Sequence, residues 1–197
     1  APCESGIIRC MEITNARLIL PDSVQRGSLS IRSGQIHKIS KNSKPATNAK
    51  ESVMDLHGGF LAPGFVDLHI HGAMGRDTME ARLDAFREIT EFHLRGGTTS
   101  LTLTTLSASQ ADILKALDSI APLREQAIGG ARIVGVHVEG PFISKEKVGA
   151  QNPEYVRNPT AKEWGPILKH GQLITQMTLA PELPSALDLI KALKKNG

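Results

Sequence analysis

The sequence predicts an α/β protein in which a short antiparallel β segment precedes the first β/α units of a parallel sheet. Two observations carry this expectation. From Phe60 onward, apolar stretches of strand length alternate with segments of helical periodicity, and two of the strand-like stretches end in histidine or carboxylate residues followed by glycine. Before Phe60 the pattern is a weak period-two alternation broken by turn residues.

Residues 11–40 alternate through Ile13, Leu18, Ile19 and Leu20, then Leu29 and Ile31, then Ile36 and Ile39, with breaks at Pro21-Asp22 and Ser33-Gly34. This reads as three short antiparallel strands. Residues 41–52 are rich in Lys, Ser, Asn, Ala and Pro without periodicity and read as a surface connection, followed by a short strand at 53–56. His57-Gly58-Gly59 then turns the chain into the next unit, so the expected domains are 1–60, the strands of a small antiparallel sheet, and 61–197.

In that second region, strands are expected at 61–71, 98–106, 132–139 and 174–180, and helices at 79–95, 108–122, 160–170 and 185–195. In the first helix Leu83, Phe86, Ile89, Thr90 and His93 recur at helical spacing before a Gly96-Gly97 stop. His93 therefore reads as a helix-face residue. An eight-stranded β/α barrel takes about 250 residues by itself, so a chain of 197 residues with a β segment in front is expected to hold only the first half of one.

Composition narrows the functional classes. With 40% hydrophobic and 22% charged residues the chain suits a globular fold, and a dispersed net charge of +3 leaves no electrostatic footprint for nucleic acid. No apolar run approaches the roughly 20 residues of a membrane span, and the start lacks the pattern of a secretory signal. Neither nucleic acid nor a membrane is expected as a partner. The cysteines, Cys3 and Cys10, both lie in the N-terminal stretch, so no disulfide framework and no thiolate metal site is expected, which suits a cytoplasmic protein.

The first chemistry-bearing segment is Leu-Ala-Pro-Gly-Phe-Val-Asp-Leu-His-Ile-His-Gly at 61–72. On a strand, residues two apart leave the same face, so His69 and His71 point together and Asp67 continues their stripe. Phe65, Val66, Leu68 and Ile70 are expected to be buried around it. A polar stripe in a buried strand requires a partner, and a cation supplies one. Asp67 can be a direct ligand or a supporting carboxylate; the spacing leaves both open.

The second segment is Val-His-Val-Glu-Gly-Pro-Phe-Ile at 136–143. Glu139, at the carboxyl end of an apolar strand and followed by Gly-Pro, sits where parallel α/β proteins collect function, and it is a candidate metal ligand. His137 lies one pleat deeper and reads as a packed, hydrogen-bonded histidine. The loop at 144–157 carries Lys145, Lys147, Gly149, Gln151, Asn152, Tyr155 and Arg157. It can be a receptor for an anionic or hydroxyl-rich substrate or simply a solvated loop.

Together these residues resemble the N-acetylglucosamine-6-phosphate deacetylases of the amidohydrolase superfamily. The resemblance runs through Ala-Pro-Gly-Phe-Val-Asp-Leu-His-Ile-His-Gly at 62–72, Gly75 and Asp77, Gly97-Thr98-Thr99, Thr104-Thr105-Leu106, His-Val-Glu-Gly-Pro-Phe at 137–142 and Leu179-Ala180-Pro181-Glu182. It implies a (β/α)8 barrel of the TIM type with a small β-sandwich built from both chain ends. It also implies a divalent metal, zinc or iron foremost and manganese or cobalt by the same donor chemistry, that activates water to hydrolyse the acetamide of N-acetylglucosamine 6-phosphate to acetate and glucosamine 6-phosphate.

Carried over by position, the resemblance makes Glu139 the shared metal ligand, His69 and His71 a second metal site on the first strand, and Ala150 and Gln151 contacts to the sugar. Many members have His at the position of Gln151. The family's two further metal histidines, its phosphate-gripping residues and its catalytic aspartate lie on later strands. No catalytic base is therefore expected within this chain; it is expected beyond Gly197, and the chain is expected to be a truncated form, inactive alone, of an enzyme that is a homodimer at full length. The rivals are an N-acetylgalactosamine-6-phosphate deacetylase, a cyclic-amide hydrolase, which the Glu-Gly-Pro block disfavours, and a non-catalytic half-barrel acting as an interaction or complementing fragment.

Overall fold

Turn chemistry sets the first sheet. In the computed structural model, which describes residues 10–41 and 52–196, β1 (Cys10–Leu20) passes into β2 (Ser23–Arg32) across Pro21-Asp22, and β2 into β3 (Gln35–Lys41) across Ser33-Gly34. Both pairs are antiparallel with two-residue connections. Ser33 and Gly34 both have positive φ, 49° and 76°, as a two-residue turn between twisted strands requires. A register shift between Ile13 and Ala16, where Asn15 has φ 51°, is a bulge in β1.

Two short strands, β4 (Ser52–Asp55) and β5 (Phe60–Leu61), pair parallel to β1. The sheet order is β3-β2-β1-β4, with β5 also on β1. Ile13, Ala16, Leu18 and Leu29 are its buried apolar residues. The strands expected within 11–40 are present, though β1 and β2 are long, at 11 and 10 residues. Cys3 and most of the expected connection at 41–52 lie outside the described residues.

The chain divides between Pro63 and Gly64 into two compact units. The expected strand at 61–71 is split at this point. Proline has no N–H to offer a ladder, so pairing with β1 ends at Leu61 and begins anew in β6 (Phe65–Ile70). A small hairpin follows, β7 (Gly72–Ala73) with β8 (Arg76–Asp77). Then come α1 (Leu83–Arg95), β9 (Thr98–Thr104), α2 (Gln110–Ile120), β10 (Arg132–Glu139), α3 (Ala161–Leu168), β11 (Ile174–Thr178) and α4 (Ala186–Lys195). The strands form a parallel sheet in the order β11-β10-β9-β6.

The helix expected at 79–95 is divided. Asp77 caps a 3-10 turn at Thr78–Glu80, its Oδ1 accepting from the Met79 N–H at 2.7 Å while the Glu80 carboxylate accepts from the Asp77 N–H at 3.0 Å. The turn ends in left-handed Ala81, φ 54°, so the α-helix starts only at Leu83.

Helical spacing explains the core. α1 buries Ala85, Phe86, Ile89 and Thr90, and α2 buries Ile113, Ala116, Leu117 and Ile120. They pack with Leu101 and Leu103 of β9 and with Ile133, Val136 and Val138 of β10, central strands buried on both faces as parallel sheets are. Strand β6 departs from the expected pattern. Phe65, Val66 and Leu68 are 70%, 61% and 52% exposed, and only Ile70, at 7%, joins the core. Its partner is β9 alone among the described residues; an edge strand lacks the neighbour that would cover it.

Two substitutions test this packing. Phe86→Ala, at a fully buried position, is expected to lower unfolding stability by about 3–5 kcal/mol in urea titration; a loss under about 1 kcal/mol would show that α1 is not seated as described. Gly140, just past β10, has φ +71°, and a Cβ there would lie 2.1 Å from Ser107 Oγ. Gly140→Ala should therefore cost at least about 1–3 kcal/mol by the same measurement, and a neutral result would contradict the left-handed turn that ends β10.

Candidate metal centre

Strand β9 is the spacer of the site. Because β6 and β10 both run parallel to it, their carboxyl ends emerge at one edge, and His69 and His71 from one meet Glu139 from the other. The register is fixed at this edge by Thr104. Its Oγ1 accepts from the Ile70 N–H at 3.0 Å, while the Thr105 N–H donates to the His137 carbonyl at 3.0 Å.

One ligand atom from each of His69, His71 and Glu139 lies within 4.8 Å of the others. His71 Nε2 is 3.0 Å from Glu139 Oε2, and its Nδ1 is 3.3 Å from the Thr104 carbonyl oxygen. A carbonyl only accepts, so Nδ1 carries a proton, and Nε2 is the nitrogen that faces a carboxylate oxygen. Two acceptors at that distance repel unless a proton or a cation lies between them. Two neutral imidazoles and a carboxylate are a donor set suited to a first-row dication, so these residues fit the metal that the resemblance implies. His71 bound through Nε2 while Nδ1–H holds a backbone carbonyl is the usual support for a metal histidine.

His137 belongs to the packing beneath. It is 1% exposed, its Nε2 is 2.8 Å from Thr178 Oγ1 on β11, and its Nδ1 is buried without a hydrogen-bond partner. Its ring centroid is 4.9 Å from that of His69. Burial, with the neighbouring His69 and His71 adding to it and Glu139 opposing, holds its pKa below the usual imidazole value, so the ring is a neutral strut beneath the ligands.

Asp67 is not in the group: its Oδ1 accepts from the His69 N–H at 3.0 Å and so braces the backbone that carries the histidine. The loop at 144–157 bends back so that Gln151 Nε2 donates to Glu139 Oε2 at 2.7 Å, with Ala150 exposed beside it. Arg157 fastens the loop's far end, to Glu163 Oε2 at 2.8 Å and to the Ala108 carbonyl at 2.9 Å. His93 stays on α1, its ring against Phe92 at 5.5 Å. Thr104, Ser107 and Thr178, to which residue-by-residue reading assigns no role, hold His71 by a backbone carbonyl, Gln151 by a backbone N–H and His137 by a hydroxyl. No local pattern marks them: Ser107 lies past the end of β9, and β9 and β11 mix polar and apolar residues throughout.

The amidohydrolase family model matches residues 60–195. Over 177 residues the chain is 32% identical to the N-acetylglucosamine-6-phosphate deacetylase of Bacillus subtilis, covering 87% of this chain and 44% of the relative. Over 195 residues it is 31% identical to that of Homo sapiens, covering 96% and 47%. The structure of a mutant N-acetyl-D-glucosamine-6-phosphate deacetylase from Mycobacterium smegmatis in complex with N-acetyl-D-glucosamine-6-phosphate aligns with TM-score 0.81 at 29% identity, over 95% of this chain and 48% of that one. The chain thus spans a little under half the length of these relatives, and its parallel strands and helices correspond to half of a TIM barrel. It belongs to the amidohydrolase family, as a homologue of the N-terminal portion of its N-acetylglucosamine-6-phosphate deacetylases.

Proposed function

We propose that this chain supplies the His69, His71 and Glu139 part of a metal-dependent site that hydrolyses the acetamide of N-acetylglucosamine 6-phosphate to acetate and glucosamine 6-phosphate. The observation that carries this reading is the contact of His71 Nε2 with Glu139 Oε2 at 3.0 Å, within the stretch 60–195 that the amidohydrolase family model matches. A divalent ion bound there, zinc or iron foremost, would polarise the amide carbonyl and make water a nucleophile near neutral pH.

The chain's own residues hold and shape. Thr104 fixes the His71 tautomer, Asp67 braces His69, and Ala150 and Gln151 meet the sugar from the loop after β10. In the hydrolysis the water oxygen bonds to the carbonyl carbon, the C–N bond breaks, and the amine leaves with a proton. No residue of this chain is assigned as the base that manages that proton; the reading places it on later strands of the complete enzyme.

In the complete enzyme, Glu139→Gln should cut acetate release from N-acetylglucosamine 6-phosphate by on the order of 100-fold and weaken metal binding, because an amide oxygen is a poorer donor to a dication. Turnover kept within a few-fold, with metal still bound, would rule out the assigned role. Running N-acetylgalactosamine 6-phosphate beside it identifies the preferred epimer.

The paired substitution His69→Ala with His71→Ala should lower bound zinc by about one ion per chain, read by elemental analysis after gel filtration. An unchanged metal content would remove the first strand from the site.

A further inference from the structure

Gln151 does more than face the substrate side of the loop. Its side-chain amide has an orientation that the structure determines. The Ser107 backbone N–H, which can only donate, points at Gln151 Oε1 at 2.5 Å, so the other end, Nε2, is the group that meets Glu139 Oε2 at 2.7 Å. The amide is thus clamped between the loop that follows β9 and the carboxylate at the end of β10.

The same oxygen, Glu139 Oε2, also lies against His71. Glu139 Oε1 has no protein donor among the described residues. The Gln151 bond holds the very oxygen that faces His71 Nε2, and so restricts rotation of the carboxylate about its terminal bond.

We infer that Gln151 is a positioning residue for Glu139, orienting the carboxylate toward the cation through the chain Ser107 N–H, Gln151, Glu139. This rests on the metal reading given above, and deepens it: Gln151 sets metal affinity through a bond to the ligand and not only a contact to the sugar. Hydrogen-bond partners that orient a metal ligand commonly change affinity about 10–100-fold when removed. A purely substrate-facing Gln151 would leave metal affinity alone.

The test is Gln151→Met, which keeps the length of the side chain and removes both hydrogen bonds, with Gln151→Ala as a second variant at this half-buried loop position. Zinc dissociation constants of the complete enzyme and its variants are measured by competition with a chromogenic chelator, alongside cobalt(II) absorption spectra and thermal unfolding without metal. The expected result is a zinc dissociation constant raised about 10–100-fold and a changed cobalt spectrum, with the metal-free melting temperature close to that of the unsubstituted enzyme. Zinc affinity within twofold of the unsubstituted enzyme in either folded variant, with the cobalt spectrum unaltered, would overturn the inference while leaving the metal centre standing. If the unsubstituted complete enzyme binds no zinc, cobalt, iron or manganese, the metal reading itself fails and this inference with it.

Discussion

The parallel pairing of β9 with strands on both sides is the constraint on which the rest of the site depends. Parallel strands bring like ends together, so chemistry placed at the carboxyl end of one strand meets that of its neighbours without any special loop. The donors come from positions 70 residues apart in sequence, yet their separation in space is set by one intervening strand. Thr104 is where this pairing becomes chemistry. Its hydroxyl takes the backbone of β6 and its carbonyl takes the ring of His71, so a single residue of the spacer strand holds both the register and the tautomer.

Beneath the donors the sheet is apolar and closed, above them it is polar and open. Leu101, Leu103, Val136 and Val138 are wholly buried and leave the strands no freedom to slide, whereas His69 is exposed and His71 and Glu139 are partly so. His137 marks the boundary. A fully buried imidazole with one nitrogen bonded and the other without a partner carries a desolvation cost, borne at the layer on which the ligands rest.

Much of this was legible in the sequence, for physical reasons. Period-two and period-3.6 patterns reflect what each face must bury, so α1, α2, β9 and β10 could be read from Phe86, Ile89, Ile113, Leu117, Leu101 and Val136. The i, i+2 spacing of His69 and His71 and the Gly-Pro after Glu139 placed the donors at strand ends. The exposure of Phe65, Val66 and Leu68 was not legible, because an edge strand and a central one carry the same apolar residues and differ only in how many neighbours they have. The roles of Ser107, Thr104 and Thr178 were hidden for a related reason: their work is done by a backbone group or a hydroxyl whose partner lies far along the chain, and local pattern holds no record of it.

The loop after β10 is held at both ends, at Gln151 by Glu139 and Ser107 and at Arg157 by Glu163 and Ala108. Before Gln151, the loop's near end is fixed by the end of β10 and by the fully buried Phe142. Side chains at the exposed positions Lys145, Glu146 and Lys147 face solvent rather than the carboxylate. Residues 144–149 can therefore vary in what they present to solvent while Gln151 stays hydrogen-bonded to Glu139 and Ser107.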